Sequence, residues 1–230
     1  AFFSALDADS INEIGELEEG AFYVWKKEQL QQLLQDDFAL FSEVYNINDF
    51  GYWEHNNYVL IQTQSLEKIA SQFKLSKTEL QQKKKNWEQL LFTAREKRPK
   101  PRLDDKSLTS WNAIILKGFA EAYKALGNKK FLEIAEKNAQ FLIAKQWSEQ
   151  GHLWHSYKNG KSNIEGFLED YALTIEAFIS LYQNTLNETY LQHAKQLTDY
   201  CFEHFYDSEK QFFSFNSKKS QQLIAEHFET

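Results

Sequence analysis

Two stretches of this chain concentrate side chains that can do chemistry: Leu103-Asp-Asp-Lys-Ser-Leu-Thr-Ser-Trp-Asn112 and Gly166-Phe-Leu-Glu-Asp-Tyr171. In each, neighbouring carboxylates stand close to an aromatic ring. Asp104, Asp105, Glu169 and Asp170 are candidates for acid/base work on a sugar, which uses carboxyl groups in pairs. Trp111 and Tyr171 offer faces on which a sugar ring could stack, and Asn112 and Lys106 can bond hydroxyls. A glycosidase built on these groups would hold two carboxyls ~5–5.5 Å apart if retaining and ~6.5–9.5 Å apart if inverting. Each residue also has a plain structural reading. Adjacent acids just before a helix suit its dipole, Asp104 and Asp105 can pair with Arg102 or Lys106, Asp170 can tie two helices together, and Trp111 can be core.

Other segments add candidates of the same kind. Asp7 and Asp9 follow an extended piece, and Trp53-Glu54 forms an aromatic-plus-acid loop that could cover a pocket mouth. The Asp7-Ala-Asp9-Ser10 run fails as a calcium loop, because Ile11 takes the third ligand position and no glycine follows. His152 and His155 lack an evident third ligand. No zinc motif, nucleophile elbow or phosphate-binding glycine loop occurs. The expectation is therefore carboxylate and aromatic chemistry with no metal and no cofactor.

The elements that must position these groups follow from an internal repeat. Displacing the chain so that Phe119 falls on Phe178 also brings Tyr123 onto Tyr182, Ala135 onto Ala194 and Phe141 onto Tyr200. Such self-similarity marks a repeated unit that buries its apolar face against its neighbours. Each unit reads as two helices, about 108–126 and 129–147 in one copy, 167–186 and 188–206 in the next. Leu108, Trp111, Ile115, Phe119, Ala122 and Leu126 form the expected core face of the first helix. Gly127 is a stop signal, and Asn128 and Asn187 cap the second helices. Short extended returns follow, at 152–157 and 211–215, with an earlier one at 1–4.

Hairpins with tight turns at one end and long returns at the other suggest an α/α toroid. The fold class is thus all-α, part of a toroid of helical hairpins with short β returns and a mostly helical insertion. The domain reading is one toroid fragment over 1–230, with an insertion at 16–100 and repeat hairpins at 101–147 and 160–207. Both acid-aromatic clusters then sit at inner-helix N-termini, where unpaired N–H groups carry partial positive charge.

Bulk properties narrow the classes. A net charge of -7 argues against a nucleic-acid binder. No apolar run approaches the ~20 residues of a membrane span. A lone cysteine, Cys201, excludes an internal disulfide and fits a cytoplasmic setting. The chain opens at Ala1 without methionine and reads as a segment of something longer.

Phe3-Ser-Ala-Leu-Asp-Ala-Asp-Ser10, Glu19-Gly-Ala-Phe-Tyr-Val-Trp25, the run from Arg98 to Asn112, and Gly166-Phe-Leu-Glu-Asp-Tyr-Ala172 resemble signature stretches of one family. It is the thioredoxin-domain-containing family typified by spermatogenesis-associated protein 20 and its bacterial relatives. The resemblance implies an N-terminal thioredoxin-like domain, absent here, joined to an (α/α)6 toroid similar to N-acylglucosamine 2-epimerases and six-hairpin glycosidases, whose last repeats are also absent. It implies a sugar or glycan ligand and the thioredoxin-like domain of the same full-length chain as partners. Epimerase- or isomerase-like and glycosidase-like activities are the enzymatic options, and a non-catalytic scaffold for that domain is the alternative. The paired barrel histidines of such epimerases have no counterpart on the inner helices here.

Overall fold

The computed structural model describes residues 1–219. The described residues form two compact units, one comprising residues 1–5 with 104–219, the other Leu6–Leu103. The second unit begins ten residues earlier than the expected insertion. The strands Asp9–Ile11 and Leu17–Glu19 form an antiparallel hairpin that belongs with it.

In Leu6–Leu103 the helices are α1 (Lys27–Leu34), α2 (Phe38–Tyr45), α3 (Leu66–Gln72) and α4 (Lys77–Arg95). α4 starts at the capping box expected of Ser76 and Glu79, each side chain bonding the other's backbone N–H. Phe41, Val44, Ile69, Leu80 and Trp87 form its core. Lys83 and Lys84, in the basic run, pair with Asp37 and Glu88.

The other unit contains two consecutive helical hairpins of an α/α toroid: α5 (Thr109–Leu126) with α6 (Lys129–Phe141), and α7 (Leu168–Thr185) with α8 (Glu188–His204). The repeat register is visible as direct contacts between the two inner helices, α5 and α7. Lys117 bonds Glu176 at 2.5 Å and Ser180 bonds Glu121 at 2.8 Å, both pairs 59 residues apart. Strand Trp154–Lys158 pairs with Ser107–Leu108 on one side and with Lys161–Glu165 on the other, which forms the return between the hairpins.

Two expectations need correction. α6 ends at Phe141 and the chain continues as a wider π turn over Leu142–Gln146, where Gln146 is buried and donates to the Ser107 carbonyl. The apolar face of α5 is also rotated from the one expected. Ala113, Leu116 and Ala120 are buried, while Trp111 is 48% exposed and Leu126 is 70% exposed. An inner helix packed against both α6 and α7 needs small residues at its contact lines, so alanines are buried and bulkier side chains point elsewhere.

The inter-helix turns show the local rule and one exception to it. Gly127 ends α5 with φ 66°, the left-handed geometry glycine tolerates best. At the equivalent position Leu186 takes φ 56° while 75% exposed. A leucine there carries backbone strain without compensating burial. Leu186→Gly is expected to raise stability by roughly 0.5–1 kcal/mol, read as a higher urea midpoint with an unchanged slope. A lower midpoint would show that the strain is relieved by contacts of the leucine side chain.

Candidate functional site

The start of α7 is organised by one carboxylate. Asp170 is fully buried; its Oδ1 accepts from the Ser110 N–H at 2.9 Å, and its Oδ2 accepts from the Phe167 N–H and from His155 Nδ1, each at 2.9 Å. It therefore caps its own helix, holds the first turn of α5, and fixes the ring of a histidine on the return strand. Gly166 makes the approach possible. Its N–H donates to the Leu153 carbonyl, and a Cβ there would lie 2.8 Å from that same oxygen.

His155 is the residue that the sequence reading set aside. Its side chain is 18% exposed and its Nδ1 is taken by Asp170, while no hydrogen bond engages its Nε2 among the described residues. The bond to Asp170 raises its pKa above the ordinary 6.5, against the opposing effect of burial. The strand's alternation, which puts Ser156 inside and His155 on the other face, was the available signal.

The pH consequence has a definite sign. A histidine whose folded pKa is raised adds stability that is complete below the unfolded value and is lost as pH climbs through the folded one. The stability difference between the wild type and His155→Gln is expected to be largest below the ordinary histidine value and to shrink as pH rises above it, measured by urea unfolding at each pH. A difference that grows with pH would contradict the Asp170 pairing.

The remaining candidates of this unit fall into two groups. Trp111 is exposed, and Glu169 is half-buried and adds to the field that charges His155. Asp104 and Asp105 are ion-paired, with Lys106 at 3.2 Å and Lys158 at 2.6 Å. For Asp104 desolvation works against ionisation, but the bonds from Lys106 prevail and lower the pKa; for Asp105 the Lys158 bond lowers it.

Asn112 and Tyr171 are corrections to the expected sugar contacts. The Asn112 amide is spent on the chain itself, accepting from the Phe2 N–H and donating to the Phe2 and Leu108 carbonyls. Tyr171 is 1% exposed, stacks on Tyr200 at 5.1 Å, and accepts from the Leu153 N–H through its hydroxyl. Neither has a surface left for a ligand.

Asp7, Asp9, Trp53 and Glu54 belong to the Leu6–Leu103 unit. There Asp7 pairs with Arg102 at 3.4 Å, and the Trp53 ring covers Gly20, where an added Cβ would lie 2.8 Å from it. Asp9 sits on a hairpin strand and Glu54 is exposed in a turn.

As a donor set, His155, Glu169 and Asp170 offer ligand-type atoms within 4.8 Å of one another. Asp170 already accepts three hydrogen bonds, so it acts as the orienting carboxylate behind the histidine. That leaves His155 and Glu169, two donors where a zinc site uses three or four.

No protein-family model matches the chain. Mouse spermatogenesis-associated protein 20 is 33% identical over 90% of this chain and 30% of its own length; the human protein is 31% identical over the same shares. The chain is a homologue of spermatogenesis-associated protein 20. An uncharacterized protein of Caenorhabditis elegans is 31% identical over 93% of the chain and 33% of its own length. The chain thus spans about a third of the length of the relatives it matches.

Among solved structures, cellobiose 2-epimerase from Bacillus thermoamylovorans aligns with 16% identity over 49% of this chain and 32% of that one, with a TM-score of 0.46. The family 76 mannosidase Bt3792 from Bacteroides thetaiotaomicron gives 18% identity over 50% and 32%, also with 0.46. No helix among the described residues is long and apolar enough to cross a membrane.

Proposed function

We propose that the hairpin unit is a carbohydrate site in which His155, oriented by Asp170, transfers a proton while a sugar ring stacks on Trp111. The observation that carries this reading is the buried Asp170 carboxylate bonded to His155 Nδ1, which sets the tautomer and leaves Nε2 as the reactive edge. A histidine aligned this way by a carboxylate is an effective general acid or base. Glu169 is the second proton carrier. Asp104, Asp105 and Lys106 would bond hydroxyls at the rim. Because the acceptor capacity of Asp170 is taken up by protein donors, proton transfer of the isomerase or epimerase kind suits the site better than hydrolysis by two carboxyls.

The test is hydrogen exchange on reducing sugars in deuterium oxide, followed by proton NMR with the full-length protein. Exchange at a sugar carbon that is lost in His155→Gln, with sugar binding retained, is the expected result. Trp111→Ala is expected to weaken binding roughly tenfold. Absence of sugar binding by the full-length protein would overturn the proposal.

A second reading has its own support: a scaffold for the thioredoxin-like domain that the longer relatives have room for. Asn112 and Asp170 spend their polar atoms tying chain segments together, as a scaffold would require. A protein that binds no sugar yet needs these residues to fold would favour it.

A further inference from the structure

One cavity lies within Leu6–Leu103 and shares no residue with the candidates above. It measures about 430 Å³, within the usual range for small-molecule sites. Apolar side chains Ile11, Leu17 and Val24 line part of it, and Leu17 is 71% exposed at its lip.

Two opposite charges on its wall are each held by neutral partners. Arg98 is half-buried, donating through Nη1 to the Ala21, Phe22 and Val24 carbonyls and through Nη2 to Gln29, with its guanidinium 4.0 Å over the Trp25 ring. No carboxylate reaches ion-pair distance of it among the described residues. Glu18 is the counterpart, receiving the Asn12 amide at 2.9 Å and the Asn57 amide at 3.0 Å, with no ion pair among the described residues. These amides, with the field of His55 and Lys26, hold the Glu18 carboxyl below its usual pKa, so it stays charged.

Neutral donors and acceptors fix these two groups in place, while charged neighbours act on them only from beyond ion-pair distance: Glu13 on Arg98, and Lys26 and His55 on Glu18. Partly desolvated charges in that condition gain by meeting an opposite charge. Of the two other acids on the wall, Glu13 is bonded by Gln29 and lies 3.7 Å from Lys26, and Glu16 is exposed.

We propose that this cavity binds a small zwitterion with an apolar side chain, of the α-amino acid class: its carboxylate toward Arg98, its ammonium toward Glu18, and its side chain along Ile11, Leu17 and Val24. The site is independent of the carbohydrate reading.

Isothermal titration of the whole chain with free leucine tests it, beside 4-methylpentanoate, which lacks the amine, and isoamylamine, which lacks the carboxylate. Leucine is expected to bind, and each analogue to bind at least about tenfold more weakly. Glu18→Gln is expected to weaken leucine roughly tenfold. Leu17→Asn, at an exposed lip position, is expected to weaken it severalfold. No leucine binding, equal binding of either analogue, or leucine binding unchanged in a folded Leu17→Asn protein would each overturn the proposal.

Discussion

Asp170→Ala is expected to lower the unfolding free energy by about 3–5 kcal/mol. The side chain is fully buried and accepts three hydrogen bonds, two from the backbone at Ser110 and Phe167 and one from His155. Removing it strands the buried Ser110 N–H, at roughly 1–3 kcal/mol, and leaves the partly buried Phe167 N–H without its cap. It also releases His155 from its orientation. Asp170→Asn keeps the shape but turns an amide NH2 toward one set of donors, so it is expected to recover only part of the loss. Urea unfolding followed by far-ultraviolet circular dichroism measures both. A loss under about 1 kcal/mol for the alanine variant would mean that the carboxylate is not a clamp. Asp170 would then be available for chemistry of its own.

Tyr171→Ala is the other large effect, expected to cost about 3–5 kcal/mol. The ring is buried between Tyr200, stacked at 5.1 Å with planes 4° apart, and Phe205, whose centroid is also 5.1 Å away. Tyr171→Phe keeps the stack and removes the hydroxyl that accepts from the Leu153 N–H and interacts with Tyr200, so about 1–2 kcal/mol is expected. The same phenylalanine variant is expected to leave sugar binding by the full-length protein unchanged, because the hydroxyl faces backbone. A binding loss without a stability loss would return Tyr171 to the ligand-contacting set.

Much of the fold was legible in local pattern. The capping box at Ser76, the caps at Asn128 and Asn187 and the stop at Gly127 are decided by residues within one turn, and they stand where the sequence places them. The repeat was legible for a related reason. Equivalent residues of two copies meet the same neighbours, and the Lys117–Glu176 and Glu121–Ser180 contacts follow the same displacement.

The face of α5 was not legible. A run of apolar residues at helical spacing marks a side, but α5 is enclosed on more than one side, and the closest contacts select alanine over tryptophan. The site was legible only in outline, since the motifs identified Asp170 while its partners lie far along the chain. Ser110 and His155 reach it from 60 and 15 residues away, and Asn112 meets Phe2 across 110.

By itself, then, the sequence determined the repeat, its helices with their capped turns, and the two acid-aromatic clusters, because these depend on short-range capping and periodicity. The tertiary structure alone decided which cluster residues point inward as clamps and which remain outside. It joined Asp170 to His155, consumed Asn112 and Tyr171 in packing, and left Trp111 exposed. Those outcomes depend on which strand is laid across which helix end. A side chain's hydrogen bonds are settled only once that crossing has removed the water that would otherwise satisfy them.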